Sequence, residues 1–327
     1  MTAETSYLDA ARDGLAEEMR RDATVWTLGE DLGRGGVFGQ YRGLAEEFGP
    51  ARVVSTPISE STIMGAAVGA ALAGTRPVVE MRFSDFALAA VDELVNQAAK
   101  ARYMFGGQAR VPLVARLPIG LWRTSAAQHS QSLESWWVHV PGLVVVAPAT
   151  PADNKGLLKA AIRSDDPVVY MEHKAMWAET GPVGDEDAVD DDLVALGAAR
   201  IARPGTDVTL VTWSRMVGVA EQAAASLGQS GPSVEVIDLR TLWPWDRTAV
   251  FDSVAKTGRL MVVQESVLVA GFGGEIVATI AERMAGALKA PPRRLGAPRV
   301  PTPYSRALED QCRVSAEMIA ETATTMV

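Results

Sequence analysis

The sequence is poor in the residues that build covalent crosslinks and metal sites. Its 327 residues include one cysteine, Cys312, and three histidines. A single thiol cannot form an internal disulfide, and no second thiol or histidine-rich cluster is present for a zinc site. These shortages exclude a disulfide-stabilised scaffold and a structural zinc module. They predict a reducing, cytoplasmic setting.

Long apolar runs and an excess of positive charge are also missing. No stretch of about 18 uncharged apolar residues occurs, and residues 1–21 carry acidic and basic side chains throughout, unlike a secretory signal. Acidic residues number 40 and basic residues 31, which gives a net charge of −9. We therefore expect a soluble chain that is not exported and binds neither nucleic acid nor a membrane. Its expected partners are proteins and small molecules.

Short runs of β-branched residues alternate with longer helical patterns. The continuous apolar character of such runs is typical of strands covered on both faces; examples are Pro77-Val78-Val79-Glu80-Met81, Leu143-Val144-Val145-Val146 and Pro167-Val168-Val169-Tyr170. Helices are predicted over Ile63–Ala73 and Ala87–Tyr103. A hydrophobic content of 48% is enough for two ordinary cores. The alternation predicts an α/β chain with two doubly wound domains.

The stretch Thr180–Asp192 lacks apolar periodicity and contains an acidic run. It is predicted to be a linker between domains. The expected boundaries are residues 1–179 for the first domain, 180–192 for the acidic linker and 193–327 for a smaller second domain.

Histidines and a glutamate are the first candidate functional residues. His129 lies among small and polar residues after a predicted strand and its loop, where α/β sheets place ligands; the alternative is a hydrogen-bonded structural histidine. Glu60 follows a strand-to-helix turn, where a carboxylate either faces a ligand or caps the helix. His139, between apolar neighbours, is expected to pack in the core. His173 is expected in an ion pair.

A glycine-rich turn, Gly271–Gly274, precedes a predicted helix. Such turns bind dinucleotides when an acidic residue about twenty positions later holds the ribose. That residue is missing here, and the turn falls late in the chain. These features argue against NAD binding.

A series of motifs runs in one order along nearly the whole chain. It comprises Gly29-Glu30-Asp31, Thr56-Pro57-Ile58-Ser59-Glu60, Gly65-Ala66-Ala67-Val68-Gly69-Ala70-Ala71, Arg76-Pro77, Gln97-Ala98-Ala99-Lys100, Ala126-Ala127-Gln128-His129-Ser130-Gln131, Ile237-Asp238-Leu239-Arg240-Thr241-Leu242 and Gly271-Phe272-Gly273-Gly274-Glu275. Together these motifs resemble the β subunits of thiamin-diphosphate-dependent 2-oxoacid and acetoin dehydrogenases, a transketolase-like family. The resemblance implies a pyrimidine-binding domain followed by a smaller transketolase C-terminal domain.

The resemblance also implies residue roles. Glu60 is similar to the carboxylate that hydrogen-bonds the aminopyrimidine ring of thiamin diphosphate and promotes loss of the thiazolium proton. Phe86 matches the aromatic residue that stacks on that ring, with an ordinary core phenylalanine as the alternative. Ile58 is placed at the cofactor, and Glu30 matches a second acid near Glu60 that relays protons. His129 matches a histidine that faces the substrate, where it steadies a carboxylate or passes a proton during acyl transfer to a lipoyl group.

The family anchors the cofactor's diphosphate through Mg²⁺ with a Gly-Asp-Gly run and a later Asn-Asn pair, and neither occurs in this sequence. The resemblance therefore implies that an α subunit supplies these ligands in an α₂β₂ heterotetramer, with a lipoyl acyltransferase as a further partner. It also implies a monovalent cation, K⁺, held largely by backbone carbonyls. The corresponding positions are Leu113, Ala161, Ile162, Ser164 and Asp166.

Trp122 and Arg123 depart from the family pattern, which has small residues at these positions. They narrow the substrate side of the site or add positive charge there. Motifs at residues 103–107, 131–133 and 172–174 resemble the acetoin branch more closely than the pyruvate branch, so a short-chain carbonyl substrate is expected. Which 2-oxoacid or acetoin it is, and whether lipoamide is the acceptor, stays open.

Two other functions remain as alternatives. One is a stand-alone transketolase-like enzyme, which the chain length and the missing diphosphate motif oppose. The other is a non-catalytic α/β binding module. A co-expressed chain that carries Gly-Asp-Gly and Asn-Asn would favour the dehydrogenase over both.

Overall fold

The fold is described from a computed structural model, which covers residues 3–184 and 192–327. The strands are β1 Ala3–Ser6, β2 Val25–Glu30, β3 Val53–Thr56, β4 Arg76–Glu80, β5 Val114–Arg116, β6 Val144–Val146, β7 Val168–Tyr170, β8 Thr180–Val183, β9 Arg200–Arg203, β10 Val208–Thr212, β11 Val234–Asp238, β12 Thr241–Trp243, β13 Leu260–Val267 and β14 Arg293–Ala297. The α-helices are α1 Tyr7–Arg21, α2 Leu44–Phe48, α3 Glu60–Leu72, α4 Ala99–Met104, α5 Glu134–Val138, α6 Pro151–Arg163, α7 Met216–Ser226, α8 Arg247–Thr257, α9 Gly273–Met284, α10 Arg306–Gln311 and α11 Ala316–Thr324.

The chain divides into two compact units. The first unit comprises Met1–Ile119 and Trp136–Leu196, and the second comprises Gly120–Ser135 and Gly197–Val327. The segment Gly120–Ser135, which carries His129, therefore clusters with the C-terminal half of the chain. The domain boundaries drawn from the sequence remain a prediction.

The first unit is built on a parallel sheet. Parallel pairings join its strands in the order β6, β7, β5, β4, β2, β3. Valines on neighbouring strands, among them Val78, Val114 and Val168, are buried. This burial is why the strands have continuous apolar character rather than an alternating pattern. In a parallel sheet the carboxyl ends of neighbouring strands lie at one edge, so the loops after β2, β3 and β4 share that edge.

Helices α1 and α6 of the first unit are joined by buried charges as well as by apolar contacts. The Ser6 hydroxyl caps α1 by accepting the Asp9 N–H at 3.0 Å. Lys155 and Lys159 of α6 are almost fully buried, and their ammonium groups lie 2.8 and 2.7 Å from the Glu17 carboxylate. The pairing matters because a buried ammonium without a partner is strongly destabilising.

The second unit is also α/β. Strands β14, β13, β10 and β11 pair in parallel in that order, and β9 adds to β11 in antiparallel fashion. The strand β10 is buried at every position. The prediction of an α/β chain with doubly wound, parallel-sheet domains is confirmed.

Two segments differ in detail from the sequence-based expectation. The first four residues of the predicted linker form β8, which pairs antiparallel with β1, while residues 185–191 of that linker lie outside the described residues. The helix predicted over Ala87–Tyr103 consists of a 3₁₀ turn at Phe86–Ala90, a π-helical stretch at Asp92–Ala98 and the α-helix α4. Apolar periodicity indicates a helical segment but does not distinguish these hydrogen-bonding patterns.

Candidate active site

Glu60 lies at the carboxyl edge of the first unit's sheet. It is the first residue of α3, directly after the loop that follows β3, and its side chain is half-buried. Ile58, two residues earlier, is 75% exposed. The helix N-terminus carries partial positive charge, which favours a carboxylate at this position.

Glu30 lies at the same edge, because it ends β2 and is the register partner of Thr56 at the end of β3. Its carboxylate forms an ion pair of 2.9 Å with Arg82 and is 10% exposed. Arg82 has a backbone φ of +59°, a conformation that few residues with side chains adopt. The Arg82 N–H donates to the Glu80 carboxylate at 3.1 Å, which holds this backbone in place.

Glu80 ends β4 and connects this edge to a buried polar network. Its carboxylate accepts the Tyr41 hydroxyl at 2.8 Å, and the Arg116 guanidinium stacks 5.0 Å from the Tyr41 ring centroid. Gly29 lies opposite on β2, where a Cβ would come within 2.8 Å of the Glu80 carbonyl oxygen. Burial raises the pKa of Glu80 to about 7, and Arg116 and the Tyr41 hydrogen bond oppose part of that rise.

The raised pKa of Glu80 predicts that the free energy of unfolding depends on pH. A carboxyl whose pKa is raised from 4.5 to about 7 binds more protons in the folded than in the unfolded chain. Its stabilising contribution is complete below the ordinary pKa and is lost as pH rises through about 7. Glu80→Gln cannot ionise, so from pH 5 to 8 it should gain stability relative to wild type, by roughly 3 kcal/mol at most.

Melting temperatures measured across that pH range test the Glu80 prediction. The exposed Glu46, in the first turn of α2, offers a matched control, because Glu46→Gln should show a constant difference from wild type. A constant difference for Glu80→Gln as well would contradict the assigned protonation.

Phe86 follows the carboxyl end of β4 and is half-buried. Its ring meets the ring of Phe83 edge to face, with 5.3 Å between the centroids. Two hydroxyls near this edge, those of Thr56 and Ser84, are buried and have no hydrogen-bond partner among the described residues. Buried hydroxyls without partners are costly, and a bound polar ligand can satisfy them.

His129 belongs to the second unit, where it lies half-buried on a turn. In the same segment the Arg123 guanidinium lies 4.6 Å from the Trp122 ring centroid. Of the residues assigned from the sequence, the structure places Glu30, Ile58, Glu60 and Phe86 along one edge of the first unit. His129 is not among them, because it belongs to the second unit.

The five positions assigned to a monovalent cation all have carbonyl oxygens that accept hydrogen bonds. Arg76 Nη1 donates to the carbonyls of Ile162 and Ser164 at 3.0 and 2.9 Å. The carbonyl of Asp166 accepts the Ser164 hydroxyl at 3.1 Å. The carbonyls of Leu113 and Ala161 accept backbone N–H groups.

The structure places the other two histidines differently, His139 at the surface and His173 in the interior. His139 is exposed on the turn after α5 rather than packed in the core, because apolar neighbours in sequence do not fix the direction of a side chain at a helix end. His173 is buried and accepts the Ala175 N–H through Nδ1 at 3.2 Å, as the cap of a short 3₁₀ turn.

Sequence reasoning missed Arg82, Glu80 and Tyr41. The available signal was a glutamate at the end of an otherwise apolar strand, since a buried carboxyl requires partners. Within residues 3–184 and 192–327, no cluster of three or more acidic, histidine or cysteine side chains could hold a metal ion. No helix in those residues is long and apolar enough to cross a bilayer.

Comparison with known proteins agrees with the resemblance. Family models for the transketolase pyrimidine-binding domain and the transketolase C-terminal domain match residues 3–178 and 197–319. One similar solved structure is described as a split-gene transketolase, an inactive β4 tetramer. It superimposes with a TM-score of 0.80 and is 21% identical, and the match covers 98% of this chain and 98% of that chain. At that identity the likeness concerns the fold alone.

Curated relatives are closer in sequence. The 2-oxoisovalerate dehydrogenase subunit beta of Bacillus subtilis is 41% identical over 96% of both chains. The acetoin:2,6-dichlorophenolindophenol oxidoreductase subunit beta of Cupriavidus necator is 43% identical over 99% of this chain and 97% of its own. The mitochondrial pyruvate dehydrogenase E1 component subunit beta-1 of Arabidopsis thaliana is 43% identical over 94% and 85%. The chain therefore belongs to the family of 2-oxoacid and acetoin dehydrogenase β subunits.

Proposed function

We propose that this chain is the β subunit of a thiamin-diphosphate-dependent dehydrogenase that cleaves a 2-oxoacid or acetoin and transfers the acyl fragment to a lipoyl group. The lipoyl disulfide is the electron acceptor, and its second sulfur leaves as a thiol. The observation that carries the proposal is Glu60, a half-buried carboxylate at the start of α3 on the ligand-binding edge of a parallel sheet.

The residues at this edge fit the pyrimidine half of the cofactor. The exposed Ile58 side chain offers an apolar surface, and the half-buried Phe86 ring offers a stacking face. The buried hydroxyls of Thr56 and Ser84 leave polar groups for a ligand to satisfy. When bound, thiamin diphosphate supplies a carbon nucleophile for the carbonyl of the substrate.

The protein's own part in the chemistry is to hold and move protons. Glu60 would hold the pyrimidine ring by accepting a hydrogen bond from its protonated ring nitrogen, and the cofactor would then supply the base that removes the thiazolium proton. Glu30 is assigned as a second acid that relays protons, and its carboxylate forms an ion pair of 2.9 Å with Arg82. His129 steadies the substrate carboxylate or passes a proton during acyl transfer.

A partner subunit is proposed because this sequence lacks the elements that bind Mg²⁺ and the diphosphate in the family. Since the Gly-Asp-Gly and Asn-Asn elements are missing from the sequence, the ligands for Mg²⁺ and the diphosphate are assigned to an α subunit, in an α₂β₂ heterotetramer. The relatives named as E1 or dehydrogenase β subunits support such a pairing. A lipoyl acyltransferase is the proposed acceptor of the acyl group.

A potassium ion at the carbonyls of Leu113, Ala161, Ile162, Ser164 and Asp166 is a separate proposal. Each carbonyl oxygen has a second lone pair beyond the hydrogen bond that it accepts. Arg76 already donates hydrogen bonds to two of these carbonyls, so a bound ion would use their second lone pairs and should raise the melting temperature. Melting temperatures in potassium chloride and in choline chloride at equal ionic strength test for the ion, and equal values would contradict it.

A cytoplasmic location is also proposed. It is supported by cysteine usage, since Cys312 is the only thiol and cannot form a disulfide within the chain. Fractionation of the source cells tests it, and recovery of the chain outside the cytoplasm would contradict it.

The substrate is proposed to be acetoin or pyruvate rather than a branched 2-oxoacid. Trp122 is half-buried in the His129 segment, and a bulky indole beside the substrate excludes branched chains. One misfit methylene in an apolar pocket changes the discrimination between two substrates by about 1 to 3 kcal/mol. We therefore expect kcat/KM for 2-oxoisovalerate to be at least roughly tenfold lower than for acetoin or pyruvate. Trp122→Ala should reduce that difference.

The test measures kcat/KM of the reconstituted enzyme for acetoin, pyruvate and 2-oxoisovalerate, with an artificial electron acceptor. Trp136→Ala, at a tryptophan that is 57% exposed, is the matched control and should leave the preference unchanged. A higher kcat/KM for 2-oxoisovalerate would contradict the substrate class. Turnover of none of the three would contradict the proposed function itself.

A further inference from the structure

The segment Gly120–Ser135, which carries His129, has an unusual backbone. Arg123, Thr124 and Ala126 have φ angles of +50°, +53° and +63°. Residues with a Cβ rarely adopt this left-handed conformation. Such strain persists only where surrounding contacts determine the conformation, and it is concentrated at functional sites. The contacts that hold this segment are therefore part of how His129 is positioned.

One carboxylate oxygen contacts the segment on both sides of His129. Glu265 Oε2 accepts the Leu121 backbone N–H at 3.4 Å and the Ser132 hydroxyl at 2.9 Å. Leu121 precedes the strained turn and Ser132 follows His129. All these residues belong to the second unit. A single side chain thus fixes the separation between the two ends of the strained stretch.

Glu265 lies within β13. Residues Leu260–Val263 of that strand are buried and pair with β10 and β14, and the register with β14 shifts between Val263 and Val267, the stretch that contains Glu265. The neighbouring Gln264 side chain accepts the Gly273 N–H at 2.9 Å, which attaches β13 to the start of α9. A carboxylate mounted on such a strand holds its acceptor position better than one on a loop.

The segment has further attachments after Ser132. Glu134 Oε1 accepts the indole N–H of Trp213 at 3.3 Å, and the Ser135 hydroxyl accepts the Phe272 N–H at 3.0 Å. Both lie on the C-terminal side of His129. The hydrogen bond from Leu121 to Glu265 is a restraint on the N-terminal side, and loss of Glu265 would remove it.

We propose that Glu265 is a positioning residue that holds the strained segment so that His129 keeps its orientation. This inference rests on the role proposed for His129. Glu265 holds the segment by accepting hydrogen bonds from two neutral donors, the Leu121 N–H and the Ser132 hydroxyl. A glutamine keeps an oxygen acceptor with two lone pairs, whereas alanine removes it.

Amide hydrogen exchange on the full-length chain tests directly whether Glu265 restrains the segment, and it does not require turnover. Glu265→Ala should speed exchange in peptides that cover residues 121–132, and Glu265→Gln should change it little. Glu275→Gln, at an exposed glutamate in the first turn of α9, is the matched control. Unchanged exchange of residues 121–132 in Glu265→Ala would overturn the proposal.

Kinetics of the reconstituted enzyme test whether Glu265 acts through His129. Displacement of a catalytic group by about 1 Å can cost on the order of 100-fold, so we expect kcat of Glu265→Ala to fall by about 10- to 100-fold with KM little changed. Glu265→Gln should restore most of kcat. In a His129→Ala background, Glu265→Ala should cost less than about twofold more, because residues that act as a unit are not additive.

Ser132→Ala offers a milder variant that removes one of the two donors, should Glu265→Ala fold poorly. It should lower kcat in the same direction and add nothing in the His129→Ala background. A full Glu265→Ala or Ser132→Ala effect in that background would overturn the proposal. Absence of turnover in the wild-type enzyme would refute the proposed function, whereas the exchange measurement would still decide whether Glu265 holds the segment.

Discussion

Replacing Glu60 by Gln should slow exchange of the proton on the thiazolium C2 carbon by about 10²- to 10⁴-fold in the reconstituted enzyme, the range for removal of a general acid or base. A neutral amide cannot share a proton with the pyrimidine ring nitrogen as a carboxylate does. The fold should be retained, because Glu60 is half-buried at a helix start and glutamine has nearly the same shape.

The measurement for Glu60 is hydrogen–deuterium exchange at C2, followed by nuclear magnetic resonance after acid quench. Glu46→Gln is the control, since Glu46 lies in the first turn of α2, is exposed and is assigned no contact with the cofactor. C2 exchange at the wild-type rate in Glu60→Gln would remove Glu60 from this role.

Changing His129 to Ala should lower turnover with the lipoyl acceptor by a similar factor, equivalent to roughly 3 to 5 kcal/mol of barrier. The affinity for thiamin diphosphate should hardly change, because the pyrimidine contacts are assigned to Ile58, Glu60 and Phe86. Turnover would then fall without a loss of cofactor affinity, as expected when a contact is made chiefly in the transition state.

Steady-state kinetics and cofactor titrations of His129→Ala test this separation. His139→Ala is the control, because His139 is exposed on the turn after α5. A joint loss of cofactor affinity and melting temperature in His129→Ala, with His139→Ala unaffected, would show that His129 is a structural residue.

Much of the fold could be predicted from local sequence, because a buried parallel strand needs apolar side chains on both faces. The valine runs at β4, β6 and β7 predicted their strands to within a residue at most ends. Strand β8 escaped notice because Thr180–Val183 alternates between exposed and buried positions and contains glycine and proline. Its identity as a strand depends on pairing with β1, at the other end of the unit's sequence.

The candidate site was predictable only in part. Glu60 and His129 follow elements that the sequence reveals, so their positions could be inferred from strand and helix order. The network of Tyr41, Glu80 and Arg116 could not, because its members come from separate strands and loops and meet only in the folded chain. The support of the His129 segment by Glu265 is likewise a long-range contact without a local pattern.

The most direct test of the central claim, that this chain supplies one half of a shared site, is calorimetric titration of thiamin diphosphate with Mg²⁺. The titration is made into the purified chain alone and into the chain mixed with an α-like partner that carries Gly-Asp-Gly and Asn-Asn. We expect negligible binding to the chain alone and Mg²⁺-dependent micromolar binding to the mixture. Micromolar, Mg²⁺-dependent binding without any partner would contradict it.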